Sequence, residues 1–371
     1  MTSVLDSLRR WPDVEAENLH AVDAADRLIL DTVQQWPDTV AVLGDHYGAL
    51  TLGALEAGAE RVVVHTDALT ARRAIAANLE RLRPDWLTRV DFRDPEDTVR
   101  DAELVLLPLP RGLDVLQEYA HLIASLASAE VVVHAGGRIK HMNLSMNEVL
   151  ATMFERVDVS LARQKSRVLS CRTPRSELPE PQYPQHRTHR VGDTQFTLIA
   201  GAQTFGQARL DPGTRLLLDH LPDLGDEPRL LDLACGNGSI GIVAALRYPG
   251  LEVTATDHSA AAVHATRAGA AANGLAARIE ARQDDALSSW PDASASLITL
   301  NPPFHMGNTV HAGIALKLID DAARVLRDGG RLICVYNSHL RYRAELSRRV
   351  GPTQQLARNE KFTLTVSTRR R

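Results

Sequence analysis

Two stretches of this chain follow the same course. Each runs from a short apolar segment through a glycine-bearing turn into a helical segment. A second apolar segment follows, and an aspartate stands nineteen residues after the last glycine of the turn. In the first stretch these parts are Val40-Ala41-Val42-Leu43, the turn Gly44 to Gly48, a helix to about Ala57, a strand Arg61 to His65, and Asp67. In the second they are Arg229 to Leu233, the turn Ala234-Cys235-Gly236-Asn237-Gly238, the helix Ser239 to Arg247, the strand Leu251 to Thr256, and Asp257. Apolar runs of four or five residues between turns and helices signal strands buried on both faces. Such strands lie parallel and are joined by helical crossovers. The expected fold class is therefore α/β. At roughly 150 residues per domain, 371 residues hold two such sheets.

The rhythm continues in both halves. A helix over Thr70 to Leu82 ends at Pro84, and strands are expected at Leu104 to Leu107 and Glu130 to His134. Later come strands at Leu297 to Leu300, Arg331 to Tyr336 and Phe362 to Ser367, with a helix over Asp320 to Leu326 stopped by Gly329-Gly330. Pro108 and Pro302 each end a strand, and the matched spacings suggest internal duplication. Gly136-Gly137 is not part of that echo, because it follows its expected strand where Gly329-Gly330 precedes one. Cys171 to Gln195 carries Pro174, Pro179, Pro181 and Pro184 among polar residues and reads as a linker without regular structure. The expected division is 1–171, a linker 172–195, and 196–371. His186 and His189 in that linker are a possible metal pair, set against the plainer reading of two solvated side chains.

Composition narrows the class. With 44% apolar and 24% charged residues the chain is an ordinary globular protein. No apolar run approaches the ~18 residues of a membrane span, and the N-terminus lacks a basic-then-apolar leader pattern. Cys171, Cys235 and Cys334 are too few and too scattered for a disulfide framework or a thiolate metal site. A cytoplasmic protein without metal or membrane partner is expected. Net charge is −4, but it is uneven: nine acids face three arginines up to Leu50, and nine basic residues face two acids from Arg341 onward. Such asymmetry fits a nucleic-acid partner or a solvated surface about equally.

Candidate chemistry gathers at two places in the second half. Gly236-x-Gly238-x-x-Gly241, between a strand and a helix, is the setting for a nucleotide-type ligand, and Asp257 is spaced to accept from ribose hydroxyls. Those residues alone leave NAD and S-adenosyl-L-methionine (AdoMet) open. Asn301-Pro302-Pro303-Phe304 ends a strand on the side where open parallel sheets bind ligands. The Asn301 amide oxygen and the Pro302 carbonyl are two fixed acceptors suited to the two protons of an NH2 group. Phe304 offers a flat face for a planar base.

At these residues the second half resembles class I AdoMet-dependent methyltransferases, and the Asn-Pro-Pro-Phe loop resembles those acting on exocyclic or amide nitrogens. The whole chain resembles bacterial rRNA guanine-N2 methyltransferases that carry a degenerate methyltransferase domain before the active one. The run from Phe205 through Asp211 to Gly213 and the segment Asn337-Ser338-His339-Leu340 before Tyr342 share in the likeness, the latter leaning toward the large-subunit (23S) enzymes over the 16S ones. The resemblance implies two tandem Rossmann-like domains, the first degenerate and the second active. It implies AdoMet as cofactor and ribosomal RNA as partner, with a monomer acting on N2 of a guanine. By position, Asp232, Ala234, Gly236 and Gly238 would line the methionine end of AdoMet, Asp257 its ribose, and Asp285, beside Asp284, its adenine. Asn301, Pro302 and Phe304 would meet the guanine. In the first half His46 and Tyr47 crowd the corresponding turn, and Leu107-Pro108-Leu109-Pro110 offers no amide, which implies a domain dead for transfer and retained for RNA. Arg163, Lys165, Arg167, Arg172 and Arg175 are its candidate phosphate contacts. Set against this reading are a protein glutamine-N5 methyltransferase, a non-catalytic RNA-binding assembly factor and an NAD enzyme.

Overall fold

The computed structural model describes residues 3–303 and 309–370. The chain divides into two compact units, Met1–Gln182 and Tyr183–Arg371.

The first unit holds β1 (Thr39–Leu43), β2 (Arg61–His65), β3 (Val90–Phe92), β4 (Leu104–Pro108), β5 (Val132–Arg138), β6 (Phe154–Val159) and β7 (Ser166–Pro174). They form one sheet in the order β3-β2-β1-β4-β5-β7-β6. The first five strands are parallel, and β7 runs antiparallel to both β5 and β6. Alternate side chains supply a core on each face, as a doubly covered sheet requires. Val40, Val42, Val62 and Val64 pack with Leu50, Leu52 and Ile75 on one side, and Ala41, Leu43, Val105 and Leu107 pack with Leu116, Tyr119 and Phe154 on the other.

The second unit opens with a separate hairpin, β8 (Gln185–Val191) and β9 (Thr194–Ala200). Its sheet contains β10 (Arg229–Leu233), β11 (Glu252–Asp257), β12 (Ile279–Gln283), β13 (Ala295–Leu300), β14 (Leu326–Asn337), β15 (Thr353–Arg358) and β16 (Phe362–Thr368). The order, β12-β11-β10-β13-β14-β16-β15, repeats that of the first sheet strand for strand, including the antiparallel strand inserted next to last. Spacing alone suggested a repeat; the shared seven-strand order shows that both units have the same fold.

Three expectations are corrected. The segment 172–195 is mostly strand: β7 extends to Pro174, β8 spans Gln185–Val191, and β9 starts at Thr194, leaving 175–184 outside regular elements. The prolines at 179, 181 and 184 fall in that gap. β8 escaped detection because most of its polar side chains are exposed, while Phe196, Leu198 and Ala200 of β9 carry the hairpin's burial. Gly136-Gly137 lies inside β5. A Cβ on Gly136 would stand 2.4 Å from Cγ1 of Ile29, so the glycine lets the helix Ala24–Thr32 lie against the sheet. The helix expected over Asp320 to Leu326 is the end of a longer one, Thr309–Val325.

Candidate active site

The glycine turn after β10 is built by backbone conformation and two carboxylates. Gly236 and Gly238 hold φ of +56° and +75°, and Ala234 holds +57°, a left-handed conformation that costs a residue with a Cβ about 1 kcal/mol or more. A Cβ on Gly238 would lie 2.9 Å from the Thr266 side chain. A Cβ on Gly236 would meet nothing within 4 Å, so the turn presents open space at that residue. Asp257, at the end of β11, accepts from Gly236 N at 2.9 Å through Oδ2 and from Ser259 N at 3.0 Å through Oδ1. One carboxylate thus ties the turn to the next loop. Its side chain is 14% exposed, and each oxygen keeps a lone pair for a further donor.

Asp232 is held by the elements around the turn. It is fully buried beneath the turn, accepting from Gly241 N at 3.2 Å and from Thr299 Oγ1 at 2.8 Å. It therefore joins the helix that follows the turn to β13, the strand leading to Asn301. Burial pushes its carboxyl up to about 7. A folded pKa above the unfolded one means the native state holds the proton more tightly, so this contribution to stability is complete below about pH 4 and is lost as pH rises through 7. Asp232→Asn, which stays neutral and can keep both contacts, is expected to lose about 3 kcal/mol less stability than the parent between pH 4.5 and 7.5. Urea midpoints of both proteins at the two pH values check this; equal losses would contradict it.

Asp284 and Asp285 are separated by their partners. Both oxygens of Asp284 are taken up internally, by Asp285 N, Ser288 Oγ and Ser289 N and Oγ, and the residue is buried. Asp285 keeps an accessible carboxylate, paired with Lys317.

Asn301 follows β13. Its Nδ2 donates to Asp211 Oδ2 at 3.0 Å and to Thr214 Oγ1 at 2.9 Å. Its Oδ1 is buried and has no hydrogen-bond partner among the described residues. Pro302 is buried beside it; Phe304 lies outside the described residues. Reading the sequence did not assign Asp211, Thr214 or Asn237 to the site. Asn237 donates to Gln207 O and Arg209 O, both at 2.9 Å, and so stitches the glycine turn to the segment before Asp211. The run from Phe205 to Gly213 was the one pointer to these partners.

His186 and His189 do not converge. On β8 an odd separation places them on opposite faces, and the His189 ring bonds Ala208 O at 2.8 Å. Among the described residues no cluster of three or more His, Cys, Asp or Glu could hold a metal, and no helix is long and apolar enough to cross a membrane.

The equivalent turn in the first unit carries His46 where the second has Gly236, and it is tied to the N-terminal segment. Tyr47 Oη donates to Asp13 Oδ2 at 2.5 Å, and the Arg10 guanidinium stacks 4.5 Å from its ring centroid. Asn78 Nδ2 donates to both Tyr47 O and Arg9 O, so the segment before the first helix is bound to the turn. Val42 stands where Asp232 does, and the buried Asp45 supplies the missing carboxylate from the turn itself, accepting from Gly48 N, Thr51 N and Thr51 Oγ1. Of the basic residues expected to face RNA, Arg163 pairs with Asp31, Arg172 pairs with Asp158, and Arg175 donates to Ala151 O.

Comparison with known proteins agrees in both units. Residues 195–366 match the family Methyltransferase small domain, and residues 3–175 match the RLMG N-terminal domain. The chain is 33% identical to ribosomal RNA large subunit methyltransferase G of Streptomyces coelicolor and 35% identical to that of Pseudomonas aeruginosa, covering 96% of each pair. A 16S rRNA N2 methyltransferase of T. thermophilus, solved with AdoMet and guanosine, superimposes over 94% of this chain and 92% of its own with a TM-score of 0.75 at 23% identity, which shows a common fold. Matched in both halves, and a third identical to these relatives along nearly its whole length, the chain belongs to the ribosomal RNA large subunit methyltransferase G family.

Proposed function

We propose that the second unit transfers a methyl group from AdoMet to the N2 amine of a guanine in large-subunit ribosomal RNA. The observation that carries this reading is the Asn301 amide oxygen, a buried acceptor without a partner among the described residues. Leaving such an atom unpaired is costly, and an incoming N–H relieves the cost. An exocyclic amine has two protons. Asn301 Oδ1 takes one and the Pro302 carbonyl the other, so the nitrogen lone pair is drawn out of conjugation with the ring and aimed outward. Phe304 is proposed to stack on the base. The groups at the turn suit AdoMet: the backbone at Gly236 is open to its methionine end beside Ala234 and Gly238, the carboxylate of Asp257 suits ribose hydroxyls, and the accessible carboxylate of Asp285 suits the adenine amine. Asp232 acts from beneath, holding turn and strand together. When bound, AdoMet would supply an electrophilic methyl on a sulfonium that leaves as a neutral thioether, and the methylated nitrogen would shed one of its two protons to water. The chain's own contribution is then position and lone-pair alignment. Methyl-labelled AdoMet with total RNA and total protein from a deletion strain tests the acceptor class. Label in RNA is expected; label confined to protein glutamine would overturn the reading.

The first unit, with His46 in place of Gly236, is proposed as the RNA-gripping platform. Of the five basic residues expected from sequence, Lys165 and Arg167 belong to the proposed contact surface. Arg111 follows β4, Arg138 ends β5, Lys140 and His141 follow, and Ile139 N bonds Lys165 O, which brings Lys165 beside them; Arg167 lies across from Gly137. Among the described residues none of Arg111, Arg138, Lys140, Lys165 and Arg167 has an ion-pair partner. Phosphate contacts dominate RNA affinity and its salt dependence. Replacing Arg111, Lys140 and Lys165 together by alanine is expected to weaken rRNA binding tenfold or more at low salt and to shrink the salt slope by about 2, with AdoMet affinity unchanged. Gel shifts over a salt series check this, and an unchanged slope would contradict it.

A further inference from the structure

We infer that Asp211 and Thr214 are positioning residues that fix the polarity of the Asn301 amide, so that an acceptor and never a donor faces the target. The inference rests on the proposed role of Asn301. A carboxamide has two ends of nearly equal size; rotating it by half a turn replaces an acceptor with a donor. Only its neighbours decide which end points where. Here both N–H groups of Nδ2 are taken, by Asp211 Oδ2 at 3.0 Å and by Thr214 Oγ1 at 2.9 Å. A carboxylate can only accept. The rotated amide would set Oδ1 against that carboxylate and turn NH2 toward an amine that is itself a donor. The observed orientation leaves the buried Oδ1 without a partner among the described residues.

The tetrapeptide Asp211-Pro212-Gly213-Thr214 is shaped for this. Asp211 is the N-cap of the helix Pro212–Asp219, and the same Oδ2 that meets Asn301 accepts from Thr214 N at 2.8 Å. That backbone bond holds the carboxylate in place independently of Asn301. Pro212 occupies the first turn, where a missing N–H costs nothing. A Cβ on Gly213 would lie 3.0 Å from Asp211 Oδ2 and from the Phe362 ring, so glycine leaves the carboxylate its position. The two partners stand 90 and 87 residues before Asn301, and the fold alone brings them together.

The test uses the full chain, rRNA and AdoMet, with single-turnover transfer rates and calorimetric AdoMet affinities measured side by side. Asp211→Asn retains an oxygen that Thr214 N holds inward, and it is expected to transfer within threefold of the parent. The double variant Asp211→Ser with Thr214→Val keeps an N-cap hydroxyl but removes the acceptor-only carboxylate and the Thr214 hydroxyl, leaving one shorter group that can donate as well as accept. It is expected to transfer at least thirtyfold more slowly, with AdoMet affinity within twofold. Thr214→Val alone should fall between the two. Parent-like transfer by the double variant, while Asn301→Ala is inactive, would overturn the positioning role and leave the reading of Asn301 standing. An equal fall in Asp211→Asn would overturn it too, because charge and not amide polarity would then be at work. A parallel loss of AdoMet affinity in the double variant would do the same, by assigning the pair to the fold. An active Asn301→Ala would instead remove the reading beneath the inference.

Discussion

Asn301→Ala is expected to slow methyl transfer by about a thousandfold while AdoMet affinity stays within a few-fold. The size follows from what the side chain does. One preorganised hydrogen-bonding group aimed at the reacting centre is worth about 100- to 1,000-fold in comparable sites, and here the same group also sets the direction of the lone pair. Cofactor affinity should survive because the turn is held by other atoms: Asp257 on Gly236 N, Asp232 on Gly241 N, and Asn237 on Gln207 O. Single-turnover rates together with calorimetry measure both quantities. Transfer within tenfold of the parent would show that the amide oxygen does not hold the target.

Asp257→Ala is expected to act on the other quantity, weakening AdoMet binding by about 2 to 3 kcal/mol, or roughly 30- to 150-fold. Two losses combine. The charge-assisted bonds proposed to the ribose disappear, and Gly236 N and Ser259 N lose the acceptor that joins their loops. Calorimetric titration of the full chain measures it. Unchanged affinity would mean that the acid and the glycine turn do not form one site.

Much of the fold was legible because buried parallel strands have to be continuous apolar runs, and Val40 to Leu43, Leu104 to Leu107 and Leu297 to Leu300 are such runs. β8 was not, since Gln185, His186, Arg187 and Thr188 carry no apolar period and their pairing with β9 is a property of the hairpin. Prolines near it signalled a linker that the chain confines to 175–184. In the site, the residues whose spacing is local could be read: Gly236, Gly238 and Asp257 within one βαβ unit, and Asn301 within its loop. What could not be read was direction and partnership. Asp232 shares a motif with the turn yet points into the core. Asp45 replaces it in the first unit from a different sequence position. Asp31 and Asp158, which pair with Arg163 and Arg172, stand 132 and 14 residues away, so the basic run looked more available than it is. Asp211 and Thr214 reach Asn301 across the sheet's crossovers, a contact no local pattern encodes.

The most direct measurement is nucleoside mass spectrometry of deproteinised rRNA, purified from a strain lacking this protein and incubated with the full chain and AdoMet. The expected result is one N2-methylguanine, mapped to a single position in 23S rRNA, absent with Asn301→Ala and without AdoMet. Methylation at another atom of the base, at 16S rRNA alone, or at no nucleotide in either naked rRNA or assembling particles would contradict the account.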